Sequence, residues 1–149
     1  MDSDLQQYLD KIEPLAPDTQ PVWGEMTPQH MVEHLIMIVR VSNGKIEGKA
    51  AYDGRRQKVM KRFLQSDKPM PRQFTNPLIG PDLKPLMFKD LATAKRELAG
   101  ELYDFSNYFD ENPNARPVNP TFGPLNREEW IRFHHKHFTH HLKQFGLLD

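Results

Sequence analysis

The chain has 149 residues, the size of one domain, and its 20 Lys+Arg balance 20 Asp+Glu for a formal net charge of +0. That balance leaves no electrostatic footprint for a nucleic-acid or anionic-membrane partner, and the absence of Cys excludes disulfides, thiolate metal sites and cysteine nucleophiles. No stretch approaches the roughly 18–20 apolar residues that would span a bilayer, and the opening Met1-Asp2-Ser3-Asp4-Leu5-Gln6-Gln7 lacks the basic start and apolar run of a secretory signal. The expected compartment is therefore the cytoplasm, with neither a membrane nor a nucleic acid as partner.

Helical periodicity runs through the chain, and no segment alternates with period two. A short helix is predicted over Leu5 to Ile12, stopping before Pro14 because the residue ahead of a proline avoids the α region. Thr27 followed by Pro28 is a strong start signal, since Thr accepts from free amides and Pro lacks one. From there Met31, His34, Leu35, Ile38 and Val39 recur on one face until Ser42-Asn43-Gly44. Residues 45–53 read as a polar connection. Gly54 to Gln65 reads as an amphipathic helix with Val59, Met60, Phe63 and Leu64 inward and a basic face of Arg55, Arg56, Lys58, Lys61 and Arg62. No interleaved surface aromatics accompany those cations, so they are expected to form a solvated face.

Between Ser66 and Phe88 five prolines, at 69, 71, 77, 81 and 85, forbid a continuous helix and predict a crossover or a functional flap. Asp90 is the expected cap of a long helix whose stripe is Leu91, Ala94, Leu98, Leu102, Phe105 and Phe109. Irregular chain from Asn112 to Pro124 precedes a last helix. It opens on Asn126 with Glu129 three residues on, a capping box with Asn in place of Ser/Thr, and stops at Gly146. The pattern predicts an all-α fold, a four-helix bundle with long Pro-rich crossover connections, forming a single domain over 1–149.

Seven His are the chain's chemical resource. Five fall in Phe133-His134-His135-Lys136-His137-Phe138-Thr139-His140-His141-Leu142, and His30 and His34 sit on the second helix. Residues four apart on a helix share a face, so two imidazoles at that spacing can converge on one metal ion with Zn–N bonds of about 2.0–2.1 Å. The pairs so spaced are His137/His141 and His30/His34. On the last helix Trp130, Ile131, Phe138, Leu142 and Phe145 define the apolar face. His141 and His134 fall within it, His137 at its edge, His135 at the other edge, and His140 points off it. His34, His137 and His141 are therefore the best-placed trio for a metal between two helices, with His134 and His30 in reserve. The competing reading is a set of hydrogen-bonded core histidines, but several imidazoles packed together each need a partner for their ring nitrogens.

The segment Trp23-Gly24-Glu25-Met26-Thr27-Pro28-Gln29-His30-Met31-Val32-Glu33-His34-Leu35 resembles the N-terminal signature of the DinB/YfiT-like superfamily, in particular a subgroup carrying W-G-x-M and a downstream H-L. Asn119-Pro120-Thr121-Phe122-Gly123-Pro124-Leu125, then Glu129-Trp130, and the run from His137 through His141 and Gln144 to Gly146, are similar to the same subgroup. The resemblance implies an up-down-down-up four-helix bundle and a divalent metal, Zn or Ni, held by one His of the second helix and an H-x3-H pair of the last. Those positions are His34, His137 and His141; His30 stands where relatives more often carry Gln.

Three neutral imidazoles leave a coordination position open, the pattern of a catalytic site. By analogy with thiol-using relatives, the resemblance implies a metal-dependent enzyme acting on a small-molecule substrate with a low-molecular-weight thiol as an S-transferase. A metal-dependent hydrolase and a non-catalytic metal-binding or stress-related protein are the alternatives. All-imidazole sites also accept Cu or Fe(II), and the exposed faces of a bundle leave room for a homodimer. Glu33, Arg40, Glu101, Tyr103 and Tyr108 read as ordinary boundary residues, Trp23 and Trp130 as core anchors, and the 119–125 block as a turn that sets the angle of the last helix rather than a rim of the metal pocket.

Overall fold

The computed structural model describes residues 3–72 and 83–149. Pro77 and Pro81 of the proline-rich crossover lie outside the described residues.

Helix α1 (Ser3–Ile12) buries Leu5, Tyr8 and Ile12, a stripe at helical spacing that Leu15 extends. Helix α2 (Pro28–Ser42) starts as its sequence dictates: Thr27 is the N-cap, its side chain accepts from the His30 amide, and Pro28 takes the first turn. It ends where Asn43 N–H donates to Val39 O and Gly44 takes φ +81°. The one-sided stripe expected for α2 is too narrow. Val32, Ile36 and Val41 are fully buried along with Met31, Leu35, Ile38 and Val39, so α2 is covered nearly all round.

Helix α3 (Gly54–Gln65) is capped by Asp53, whose carboxylate accepts from Arg56 N–H. It lies outside the bundle against α5 and buries Leu64, while Val59, expected inward, is 57% exposed. Its basic face is largely solvated as expected; Arg56 covers the Tyr52 ring, and Lys61 pairs with Glu129 at 3.1 Å. Helix α4 (Leu91–Glu111), capped by Asp90, buries all six residues of its expected stripe and packs along α2. The irregular segment after it contains a hairpin too small to carry a period-two signal, β1 (Val118–Asn119) antiparallel to β2 (Gly123–Pro124). Asn119 Oδ1 accepts from the amides of Thr121 and Phe122 to close its turn, and Gly123 takes φ +79°. This is the turn expected for the 119–125 block, and it delivers the chain to α5 (Arg127–Gln144). Both halves of the Asn126–Glu129 capping box form, and the buried Trp130 indole donates to Pro117 O at 3.0 Å, fixing the helix entry. Helices α1, α2, α4 and α5 make the four-helix bundle, and among the described residues no helix is long and apolar enough to cross a membrane.

Two acids expected at the boundary are buried. The Glu101 side chain, 1% exposed, accepts from Arg40 Nε, Lys45 Nζ (2.7 Å) and Asn43 Nδ2 (3.0 Å), tying α4 to the end of α2. Burial alone would raise its pKa, but those donors hold the carboxyl below the usual range. Glu33 accepts from the amides of Met87 (2.6 Å) and Phe88 (3.2 Å) and from Gln29 Nε2, pinning the end of the crossover to α2. Tyr103 is exposed, and Tyr108 packs edge-on against Phe109.

Replacing Glu101 by Gln leaves two cations facing a neutral amide. Removing one member of a fully buried pair costs about 3–5 kcal/mol. Arg40 and Lys45 are partly exposed and can rehydrate, so the expected loss is about 1–3 kcal/mol. It should appear as a lower urea midpoint with an unchanged slope; an unchanged midpoint contradicts this role.

Candidate metal centre

Helices α2 and α5 contribute the site. His34 comes from the middle of α2, and His137 and His141 stand one turn apart on the face of α5 that meets it. The Nε2 atoms of His34 and His137 are 2.8 Å apart, and those of His137 and His141 are 3.2 Å apart. The three rings lie edge-to-face, with centroids 4.7–4.8 Å apart. All three side chains are buried, at 7%, 1% and 6% exposure.

Burial sets their charge. It pushes His34 down to about 4, with a smaller contribution from His140. It also holds His137 and His141 well below the ordinary imidazole range, where His34 is the next cause for each. The three rings are neutral at neutral pH. A neutral imidazole carries one N–H and one lone pair, and His137 Nε2 faces two other ring nitrogens at once. As a donor it satisfies one of them; as an acceptor it leaves its own Nδ1–H without a partner, and the Nδ1 atoms of both His34 and His137 have none among the described residues.

A cation at the centre engages all three lone pairs together. Tetrahedral ligands at about 2.0–2.1 Å place neighbouring nitrogens about 3.3 Å apart, close to the 2.8 and 3.2 Å found. Among the described residues this is the one group of His, Asp or Glu side chains so arranged. The residues present fit a divalent metal.

The profile of the DinB superfamily matches residues 1–145. The chain belongs to the DinB superfamily. No curated protein and no solved structure matches it.

The remaining histidines of this DinB protein lie outside the group. His134, one of the two reserves, is fully buried; its Nε2 lies 2.9 Å from Ser42 Oγ, and its ring packs against Phe105 and Trp130. His30, the other, turns its Nδ1 to Thr27 Oγ1 at 2.7 Å beside the cap of α2. His135 bonds the Tyr8 hydroxyl. His140 corrects the helical-wheel reading: it is buried, with its ring between Trp23 (5.5 Å) and His141 (4.8 Å). The wheel considers α5 alone, whereas Trp23 belongs to the loop before α2. Trp23 itself is half-buried rather than a core anchor, and the Arg72 guanidinium lies 4.3 Å over its ring. A cleft of about 880 Å³ opens here, lined by Trp23, Met70, Arg72, His140 and Lys143.

Sequence reasoning assigned no role to Gln144, whose Oε1 lies 2.7 Å from His141 Nδ1. Its signal was its position, three residues after His141 and so on the same face of α5.

His134 gives the fold an acid limit independent of the metal group. Burial, then the charge of His135, pushes it down to about 3 from 6.5. The unfolded chain therefore binds a proton that the folded one refuses between those values, and stability is lost as pH falls through that window. Substituting Leu at His134 should reduce the slope of unfolding free energy against pH by about 1.4 kcal/mol per pH unit near pH 5. Urea titrations at several pH values check this, and an unchanged slope contradicts it.

Proposed function

We propose that His34, His137 and His141 hold one divalent metal ion, Zn or Ni, through their Nε2 atoms, and that the protein is a metal-dependent transferase using a low-molecular-weight thiol on a small electrophile. The observation that carries the reading is the convergence of three neutral Nε2 atoms in a buried space, with 2.8 and 3.2 Å separations that a metal ion relieves. Membership of the DinB superfamily supports it. A metal bound by three imidazoles supplies Lewis acidity at an open position, enough to stabilise a thiolate near neutral pH.

The chain's own residues supply placement. Neutral rings keep their lone pairs for the ion, and the buried Phe133 ring packs against His137, 5.1 Å between centroids. In the transfer, the thiol loses its proton, sulfur bonds to the electrophilic carbon, and the leaving group departs with the electron pair and takes up a proton. The cleft beside His140, whose wall carries Arg72 and Lys143 as well as Asp67 and Asp149, suits a small polar molecule. A metal-dependent hydrolase, with a metal-bound water as nucleophile, is the second reading; Glu33 adjoins His34 in sequence but accepts from two amides and Gln29, which gives it a structural task in either case.

Protein prepared without a His tag should carry about one Zn or Ni per chain by elemental analysis, and His141→Ala should lose it. No metal after soaking, with an unchanged melting temperature, contradicts the site. Thiol–electrophile conjugation should depend on added thiol and on the metal; a thiol-independent rate contradicts the transferase.

A further inference from the structure

The loop before α2 is tied to the last residue of α5. Val22 N–H donates to Gln144 O at 2.6 Å, and Gln144 Nε2 donates to Trp23 O at 3.2 Å. The opposite end of the same amide, Oε1, faces His141 Nδ1 at 2.7 Å. Gln144 is buried, at 5% exposure, so these contacts are not exchanged freely with water.

The chemistry of the partners decides which way the amide lies. A backbone carbonyl only accepts, so the end of Gln144 that meets Trp23 O must be the NH2. The end that meets His141 is then the carbonyl oxygen, which also only accepts. His141 Nδ1 must therefore carry the proton. A neutral ring has a single N–H, so Nε2 holds the lone pair, and Nε2 is the atom that faces His137 Nε2. The tautomer of His141 is thus set by a backbone carbonyl in a loop 118 positions earlier in the chain.

Gly24 makes this approach feasible. It takes φ +82°, and a Cβ there would stand 2.9 Å from Gln144 Nε2. A side chain would meet both a disfavoured backbone conformation and the amide it has to clear. The other two rings lack such support, because the Nδ1 atoms of His34 and His137 have no hydrogen-bond partner among the described residues.

We infer that Gln144 is a positioning residue for the proposed metal centre: held by the Trp23 carbonyl across Gly24, it fixes His141 as the Nδ1–H tautomer and aims its Nε2 lone pair at the ion. The inference rests on the proposed metal reading for the ion, while the tautomer is a property of the metal-free chain. Outer hydrogen bonds of this kind orient a ligand and raise its basicity, and their loss costs about 10–100-fold in metal affinity.

The test combines ring-nitrogen NMR of the 15N-histidine-labelled, metal-free protein with zinc affinity measured by chelator competition for the native chain, Gln144→Leu, Gln144→Glu and Gly24→Ala. The expected results are a protonated Nδ1 on His141 in the native chain, zinc affinity about 10–100-fold weaker in Gln144→Leu, and recovery of most of that loss in Gln144→Glu, which keeps an acceptor for His141. Gly24→Ala, which disturbs the amide without touching either helix stripe, should weaken zinc in the same direction. A native His141 protonated on Nε2 overturns the inference whether or not any variant folds. Native-like zinc affinity in Gln144→Leu overturns it while leaving the metal reading intact. A native chain that takes up no zinc overturns both.

Discussion

The 2.8 Å approach of His34 Nε2 to His137 Nε2 joins two helices that meet in the middle of the bundle, with His141 Nε2 another 3.2 Å away. Uncompensated, such a cluster is expensive: each ring has left water, and the rings cannot all pair with one another. Burial answers part of the difficulty by keeping the rings uncharged, which removes their mutual repulsion but sharpens the demand for something to engage their lone pairs. A cation at the centre meets that demand, and the rest of the structure can be understood as holding α2 and α5 at the separation it requires.

That separation depends on contacts remote from the rings. Helix α2 is enclosed on nearly every side, so its position is set by apolar packing rather than by one edge. Glu101 fastens its C-terminal end to α4 through Arg40, Lys45 and Asn43, and Glu33 fastens its first half to the end of the crossover. Helix α5 is fixed at its start by the Asn126–Glu129 capping box and the Trp130–Pro117 bond, and near its end by the loop around Trp23. Both helices that carry the three histidines are thus held at two ends, which is what a preorganised site needs, because misplacement by a fraction of an ångström changes which nitrogens could share an ion.

Features decided by local chemistry were legible in the sequence. Thr27-Pro28, Asp90 and Asn126 with Glu129 announce helix starts because a cap acts within one turn of its own helix. The α4 stripe and the trio His34, His137 and His141 were legible for the same reason: spacing along one helix, combined with apolar neighbours, says which side faces inward. What was hidden depended on chain from elsewhere. His140 looks solvent-facing on α5 alone, yet Trp23 covers it. Glu33 and Glu101 read as boundary residues because, Gln29 apart, their donors lie 54 or more positions away along the chain. Val59 fits a helical stripe, but α3 packs by a single edge and leaves it exposed. The two-residue strands are too short to carry any period. Gln144 stood in plain view beside His141, but its role needs the Trp23 carbonyl to define it.

Anomalous X-ray diffraction from crystals of the tag-free protein soaked in zinc tests the central claim most directly. The account predicts one strong peak per chain, about 2.0–2.1 Å from the Nε2 atoms of His34, His137 and His141, with the fourth position open to solvent or substrate. A peak bound through other side chains, or no ordered zinc beside these three rings, would contradict it.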